Sequence, residues 1–469
     1  MGAGSLRPGF LSCTDALPSE LHAGGGVCYS LMTHISTSQE RRALGQARRK
    51  QVRRQDHGRW DPKLRQHNPL ALVAESMRGR VPSLVTLKYE RMLASPFGFF
   101  RGAVPVMAAD LALLPHTGIV NQICGDAHVR NLGAFAAPDG RLLFDINDFD
   151  ETIRAPFEWD LKRLATSLVL AARETCAAAE KKKDGEKAVL KFVARYRKLI
   201  DTLSRMPVIE VARFQVHRLQ RISPVSNALL KAERSTPLHT LETLTVDTKK
   251  GRIFRESPPV LWRLSPQQAR TVLASLKIYR ESLQPERQHF LSQYRPIDVA
   301  FKVVGTGSVG LRDYLIYLEG NGTRDPLFLQ VKEEPGSAYG PYLPGAAEGW
   351  SGGSGNHGRH VVNGQRAMQF QSDPFLGWTT IANRDYLVRQ LNDHKGSIEI
   401  EDLAGQGLVD YAEMCGELLA RGHARSGDAC LIAGYLGNGE KFGEALVKFA
   451  EAYADQTELD WKALKKAKG

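Results

Sequence analysis

Residues 123–150 read ICGDAHVRNLGAFAAPDGRLLFDINDFD. Two apolar runs, 131–136 and 142–146, flank Pro138-Asp139-Gly140, and this pattern predicts a β-hairpin. Asp126 and Asn131 stand at the entrance to the first strand, and Asp145, Asp148 and Asp150 at the end of the second. Folding the hairpin brings these outer ends together, so an Asp, an Asn and a further carboxylate converge. A hard cation such as Mg²⁺ requires that oxygen-rich set, and one Asp is left over as a base. The plainer alternative is that these residues only serve turns, which Asp and Asn favour for their local backbone hydrogen bonds.

A chain of 469 residues has room for two or three domains or one large bilobal one. Its composition, 42% hydrophobic and 24% charged, is that of an ordinary globular protein. No run of eighteen apolar residues occurs, which excludes a hydrophobic membrane-spanning helix. Part of the net charge of +12 is local, since Arg41, Arg42, Arg48, Arg49, Lys50, Arg53 and Arg54 fall in one segment. No aromatic residue interleaves with them before Trp60, which argues against nucleic acid and for a solvated helix face. The cysteines at 13, 28, 124, 176, 415 and 430 lack Cys-x-x-Cys spacing. That argues against zinc and a disulfide framework and places the chain in a reducing cytoplasm. Residues 1–37 lack the basic-then-apolar order of a signal peptide and are expected to form a disordered tail, with Met32 a candidate start.

Further along, helices are expected over 38–58, 69–80 and 103–114. Residues 88–102, dense in aromatics and arginine, suit either a phosphate clamp or a buried loop. Long helices are expected from about 156 to 182 and over 185–206. Shorter ones follow at 209–222, 226–234 and 265–284, with a Thr-rich polar stretch before the last. The composition turns strand-like near 295, with strands over 298–304, 312–319 and 326–333 and a strand pair over 375–391. A Gly/Pro/Ser-rich loop (335–358) and a helix (359–371) separate them, and helices close the chain near 407–425, 427–435 and 438–454.

Gly305, Gly307 and Gly310 form a Gly-x-Gly-x-x-Gly pattern. In a dinucleotide fold that pattern must open a helix, but Tyr314-Leu315-Ile316-Tyr317-Leu318 follow here with β character. The loop is therefore expected to join two antiparallel strands, as does the glycine lid over nucleotide phosphates in kinases. Lys332 falls near the end of the third strand, where a kinase carries its phosphate-pairing lysine.

Gly125-Asp126-Ala127-His128-Val129-Arg130-Asn131 resembles the Gly-Asp-x-His-x-x-Asn catalytic loop of aminoglycoside phosphotransferases, with Cys124 where that family has His. Phe157-Glu158-Trp159-Asp160-Leu161 resembles the motif following their metal-binding Asp. Counting back from Asp160 selects Asp148 for the metal (160 − 148 = 12), whereas counting forward from Asn131 selects Asp145 (145 − 131 = 14). From about residue 38 the chain also resembles the bacterial family known as domain of unknown function 2252. The stretches that carry this are 91–102, 124–126, 144–151, 158–163 and 420–428.

The resemblance implies an α+β, bilobal, protein-kinase-like fold. It would be circularly permuted, because the catalytic loop precedes the glycine loop by about 180 residues (305 − 126 = 179). Residues 38–294 would form a mainly helical large lobe, 295–400 the glycine-loop β lobe, and 401–469 helices completing the large lobe. Termini that lie close at a surface make such a permutation tolerable. The resemblance further implies an ATP-dependent phosphotransferase using Mg²⁺. Asp126 would be the base and His128 a loop-orienting residue, with Asn131 and Asp148, or Asp145, on the metal. Lys332 and the amides of 305–310 would hold the phosphates, and Arg130 would face phosphate or solvent. Glu348 and Gln365 are the candidate partners of Lys332. The expected ligands are a nucleotide and an unidentified small-molecule or protein acceptor, with no membrane partner. Two other readings stay open, a nucleotidyl (AMP) transferase and a pseudokinase binding module. In an unpermuted alternative, His423-Ala424-Arg425-Ser426-Gly427-Asp428 would be a degenerate catalytic loop.

Overall fold

The computed structural model describes residues 36–177, 180–216, 222–249, 251–303, 305, 307–343, 355–391 and 395–468. The expected tail up to residue 35 and residues 344–354 of the 335–358 loop, including Glu348, lie outside the described residues. From Ser38 onward the chain is one unit of mixed α/β architecture, and all its sheets are antiparallel.

The predicted hairpin forms. Preceded by β1 (Val120–Ile123), it consists of β2 (Leu132–Ala136) and β3 (Leu142–Ile146), paired from Leu132–Ile146 to Ala136–Leu142. Gly140 turns the corner at φ +80°. Next, β4 (Ile153–Pro156) returns to pair with β1. The two ends that carry Asp126, Asn131 and Asp148 thus meet at one edge.

A second hairpin, β5 (Thr245–Thr248) with β6 (Gly251–Phe254), occupies the Thr-rich polar stretch, to which no element had been assigned. The large sheet then comprises β7 (Leu261–Arg263), β8 (Arg295–Lys302), β9 (Asp313–Glu319), β10 (Pro326–Glu333), β11 (Gly377–Ile381) and β12 (Arg384–Gln390). Its order is β11-β12-β10-β9-β8-β7. Last, β13 (Gly396–Ser397) crosses back to the hairpin and pairs with β2. The sheet therefore has six strands where five were expected, and it begins before residue 295. Helices Pro266–Ala274, Leu276–Ser282 and Pro285–Leu291 belong with it too, because Val272, Tyr279 and Leu283 pack against Val299, Ile316 and Leu329. The lobe boundary expected at 295 rested on where strand-like composition begins, which does not report the apolar helix face that packs on the sheet.

The helical core is built on Glu158–Thr175, Lys181–Leu203, Gly405–Ser426 and Lys441–Lys468. The first of these stops at Thr175, short of 182, because Cys176 is extended (ψ 155°) and the chain reverses. The aromatic–arginine stretch is helical, neither a loop nor irregular: Pro96–Gly102 follows Pro82–Leu93, and Ser95 caps it by accepting from the Gly98 amide at 3.1 Å. His423 lies buried inside helix Gly405–Ser426, and Asp428 caps the next helix, Ala429–Leu436, so the unpermuted alternative has no loop to occupy.

The basic segment is a solvated face only in part: Arg48, Lys50 and Arg53 are exposed, and the other four cations are engaged. Arg49 donates to the carbonyls of Gly434 and Tyr435, and Arg54 to that of Leu436 at 2.6 Å. These cations satisfy the unpaired C-terminal carbonyls of helix Ala429–Leu436 and complement its dipole. Arg41 and Arg42 pair with Asp428 and Asp201. No helix among the described residues is long and apolar enough to cross a membrane.

Candidate functional site

The backbone of 124–126 is held from behind. Buried Asp160 accepts from the amides of Cys124 and Gly125, both at 2.9 Å, and lies 3.2 Å from His423 Nε2. Gly125 sits at φ +79°, and a Cβ there would come within 2.1 Å of the Glu151 carbonyl oxygen. Only glycine fits that turn. The amide nitrogen of Asn131 donates to the Asp126 carbonyl (2.8 Å) and the Asp148 carbonyl (3.0 Å), which ties the hairpin's two outer ends together.

Asp126 Oδ1 accepts from Arg163 at Nε (2.7 Å) and Nη2 (2.5 Å), and its Oδ2 lies 3.7 Å from His128 Nε2. Burial pushes the His128 imidazole down to about 3; Asp126 opposes this, and Arg101 and Arg163 add to it. The folded protein thus holds this ring neutral where the unfolded chain, with an ordinary value near 6.5, takes up a proton. Its contribution to stability is complete above about pH 6.5 and is lost progressively as pH falls toward 3. At pH 5.5 the loss is roughly 1.4 kcal/mol. Urea midpoints at pH 7.5 and 5.5 check this: His128→Gln should lose less stability on acidification than the native chain by that amount. Equal losses would contradict it.

The two candidate metal carboxylates lie in different environments. Asp145 is buried, ion-paired through Oδ1 to Arg421, and accepts from the amides of Ile146 (2.8 Å) and Phe370 (3.1 Å). The Asp148 side chain is 44% exposed and lines the cleft.

Across that cleft stands the large sheet. The glycine loop joins β8 to β9, which pair antiparallel. Gly305 (φ +62°) and Gly310 (φ +88°) take left-handed conformations that admit a tight bend. From this loop Ser308 Oγ donates to Asp150 Oδ2 at 3.2 Å. From β10, Lys332 Nζ reaches Asp148 Oδ1 at 3.3 Å and Asp150 Oδ1 at 2.5 Å. Buried Lys332 is held well above the ordinary lysine range by Asp148 and Asp150, against the effect of burial. Asp148 is held low by Lys332, while burial and the Asp148 charge push Asp150 up to about 6.

The cleft encloses about 570 Å³. Asp126, His128, Asn131, Asp148, Gly305 and Gly307 all line it, and Arg130 does too. Asp145 does not belong to the lining, and Gly310 instead packs against Arg80. Gln365 bonds Gln369 at 3.0 Å, on helix His357–Met368. Sequence reasoning placed Asp150 among the converging carboxylates without giving it a role, and it missed Arg163, Arg389, Lys395 and Glu334. Arg389 bonds Gln330 (3.0 Å) and the Asn147 carbonyl (3.2 Å). Glu334 is buried two residues beyond Lys332, and neither of its carboxylate oxygens has a hydrogen-bond partner among the described residues. Asp150 and Arg163 lay inside motifs already singled out; the others carry no local signal.

Among the described residues no group of three or more His, Cys, Asp or Glu is placed to hold a metal on its own. The donors present, the Asp148 carboxylate and the Asn131 amide oxygen, suit Mg²⁺ only as it is usually held, by one or two protein oxygens with phosphate and water completing the shell. The residues therefore fit a magnesium ion that arrives with a phosphorylated ligand.

Compared with known proteins, residues 80–467 match the family model described as "Uncharacterized protein conserved in bacteria (DUF2252)". No curated protein and no solved structure matches the chain.

Proposed function

This chain belongs to the DUF2252 family, and we propose that it is a phosphotransferase that moves the γ-phosphoryl group of ATP to an acceptor hydroxyl on a circularly permuted kinase-like fold. One observation carries the proposal. Lys332 and the Ser308 hydroxyl, from the sheet, meet Asp148 and Asp150, from a hairpin end about 180 residues earlier in the chain. Strand and glycine loop on one side, with Lys332 buried just behind the cleft lining, face an Asp–Asn loop and a metal-type Asp on the other. Phosphoryl transfer needs those parts and little else, since its catalysis is mostly positioning and charge stabilisation.

In this reading Asn131 and Asp148 hold Mg²⁺, which neutralises charge on the phosphate oxygens when bound. Lys332 turns from Asp148 and Asp150 to the phosphates, and buried Glu334, one residue past the end of β10, is the acid whose charge it still feels. In this reading Glu334 takes the place of the partner sought in Glu348 or Gln365. Asp126 orients the acceptor hydroxyl and takes its proton as the oxygen–phosphorus bond forms and ADP leaves. Arg163 holds Asp126 in place. Nucleotidyl transfer on the same site differs only in which phosphorus is attacked. The Arg163 ion pair, which already occupies Asp126 Oδ1, is an observation on the side of the binding-module reading.

Incubation with Mg²⁺ and α- or γ-labelled ATP separates the three. Phosphoryl transfer releases or transfers label from the γ position only, and Asp126→Ala lowers the rate at least about a hundredfold. Label leaving from the α position assigns AMP transfer. Equal rates in native and variant protein overturn the catalytic role of Asp126.

A further inference from the structure

The wall of the cleft beside Asp126 is basic in a way that nucleotide and metal do not absorb. Among the described residues, seven cationic side chains line the cavity against five carboxylates. Of those five, Asp148 and Asp150 already face Lys332, and Glu151 accepts from the Ala338 amide at 2.6 Å. Three of the cations, Lys88, Arg101 and Arg130, share the cavity with Asp126 and His128.

Helices Pro82–Leu93 and Pro96–Gly102, which the sequence left open as clamp or core, supply the first two. Their aromatics Phe97, Phe99 and Phe100 are buried, which fixes the helix that presents Arg101. Lys88 is 1% exposed and donates to the Gly307 carbonyl at 2.6 Å, and among the described residues no carboxylate lies within ion-pair distance of it. Burial, with Arg80 beside it, pushes its amine well below the ordinary lysine range, and an anion sharing the site would favour the charged form, whose three donors exceed the one bond made. Arg130 follows the catalytic loop and pairs with Glu399 at 3.3 Å, with 32% of its side chain exposed. Burial lowers the Arg101 guanidinium to about 10; Arg130 and Arg91 add to this, and Asp126 and Asp148 oppose it. Holding like charges together at a buried wall is costly unless an anion joins them.

We propose that the acceptor is an anion whose phosphate or carboxylate group is held by Arg101 and Arg130, with Lys88 behind them, so that its hydroxyl is presented to Asp126. The word acceptor rests on the phosphotransferase reading, but the anion site does not. The aminoglycosides, being polycations, are the wrong charge for this wall.

The test is calorimetric titration of the full chain with inorganic phosphate, and separately with acetate, at constant ionic strength. Native protein should bind at one site. Arg130→Gln and Arg101→Gln should each weaken binding at least fivefold, and Arg59→Gln, which removes an exposed cation outside the cleft, should leave it within twofold. Preference for phosphate or for acetate tells which anionic group is read. Because Arg130 is partly exposed, its variant keeps the test decisive if Arg101→Gln does not fold. No binding to native protein, or equal binding by native and Arg130→Gln, overturns the proposal. Failure of the phosphotransferase reading would show instead as absent Mg²⁺-dependent turnover of ATP, whatever the anion result.

Discussion

Asp148→Asn is expected to lower Mg²⁺-dependent transfer of the γ-phosphoryl group by roughly 10³-fold while leaving the folding midpoint nearly unchanged. The asymmetry follows from where the side chain stands. Asp148 lines the cleft, almost half exposed, and among the described residues it pairs with Lys332, which retains Asp150. An amide of the same shape costs little there, on the order of 1 kcal/mol for a partly solvated pair. Metal affinity, by contrast, depends on the carboxylate charge. Rates measured across a magnesium series, together with urea denaturation of the same variant, check both halves. A variant with native turnover removes Asp148 from the site.

Asp145→Asn should do the opposite. Arg421 and Asp145 are both buried, and the amide would leave a guanidinium in the core without its counter-charge. Removing one partner of a buried pair typically costs about 3–5 kcal/mol. A large fall in melting temperature is expected, with the activity per folded molecule preserved at temperatures where the variant stays folded. Loss of activity without loss of stability would return Asp145 to the metal. The pair of substitutions thus separates the two carboxylates that spacing alone could not.

That ambiguity shows where sequence stops informing. The hairpin was legible because its signals are local: two apolar runs and a Pro-Asp-Gly turn. Five of the six strands of the large sheet were legible for the same reason, since β-branched and aromatic runs separated by glycine or asparagine turns need no distant partner to be recognised. Asp145 and Asp148 differ only in that β3 ends at Ile146, so the first is still in the buried strand and the second is past it. Which side of a strand end a carboxylate falls on cannot be counted from a motif. The arginines were least legible. Arg49 and Arg54 reach carbonyls more than 380 residues away, and Arg163 and Arg389 take their roles from contacts across the fold. A long cationic side chain finds its partner in three dimensions, and composition reports only that the charge exists. β7 and the hairpin of β5 and β6 were missed because strands of three or four residues in polar sequence carry little periodicity.

The central claim is that Lys332 and Asp148, remote in sequence, serve one nucleotide. Calorimetric titration with Mg²⁺ and a non-hydrolysable ATP analogue tests it most directly, applied to native protein, Lys332→Met, Asp148→Asn and the double variant. The account predicts magnesium-dependent binding to native protein, at least tenfold weaker in each single variant, and a double variant whose loss is clearly smaller than the two single losses added, because both residues act on the same phosphates. Binding that requires no magnesium, or that both substitutions leave at native strength, would contradict it.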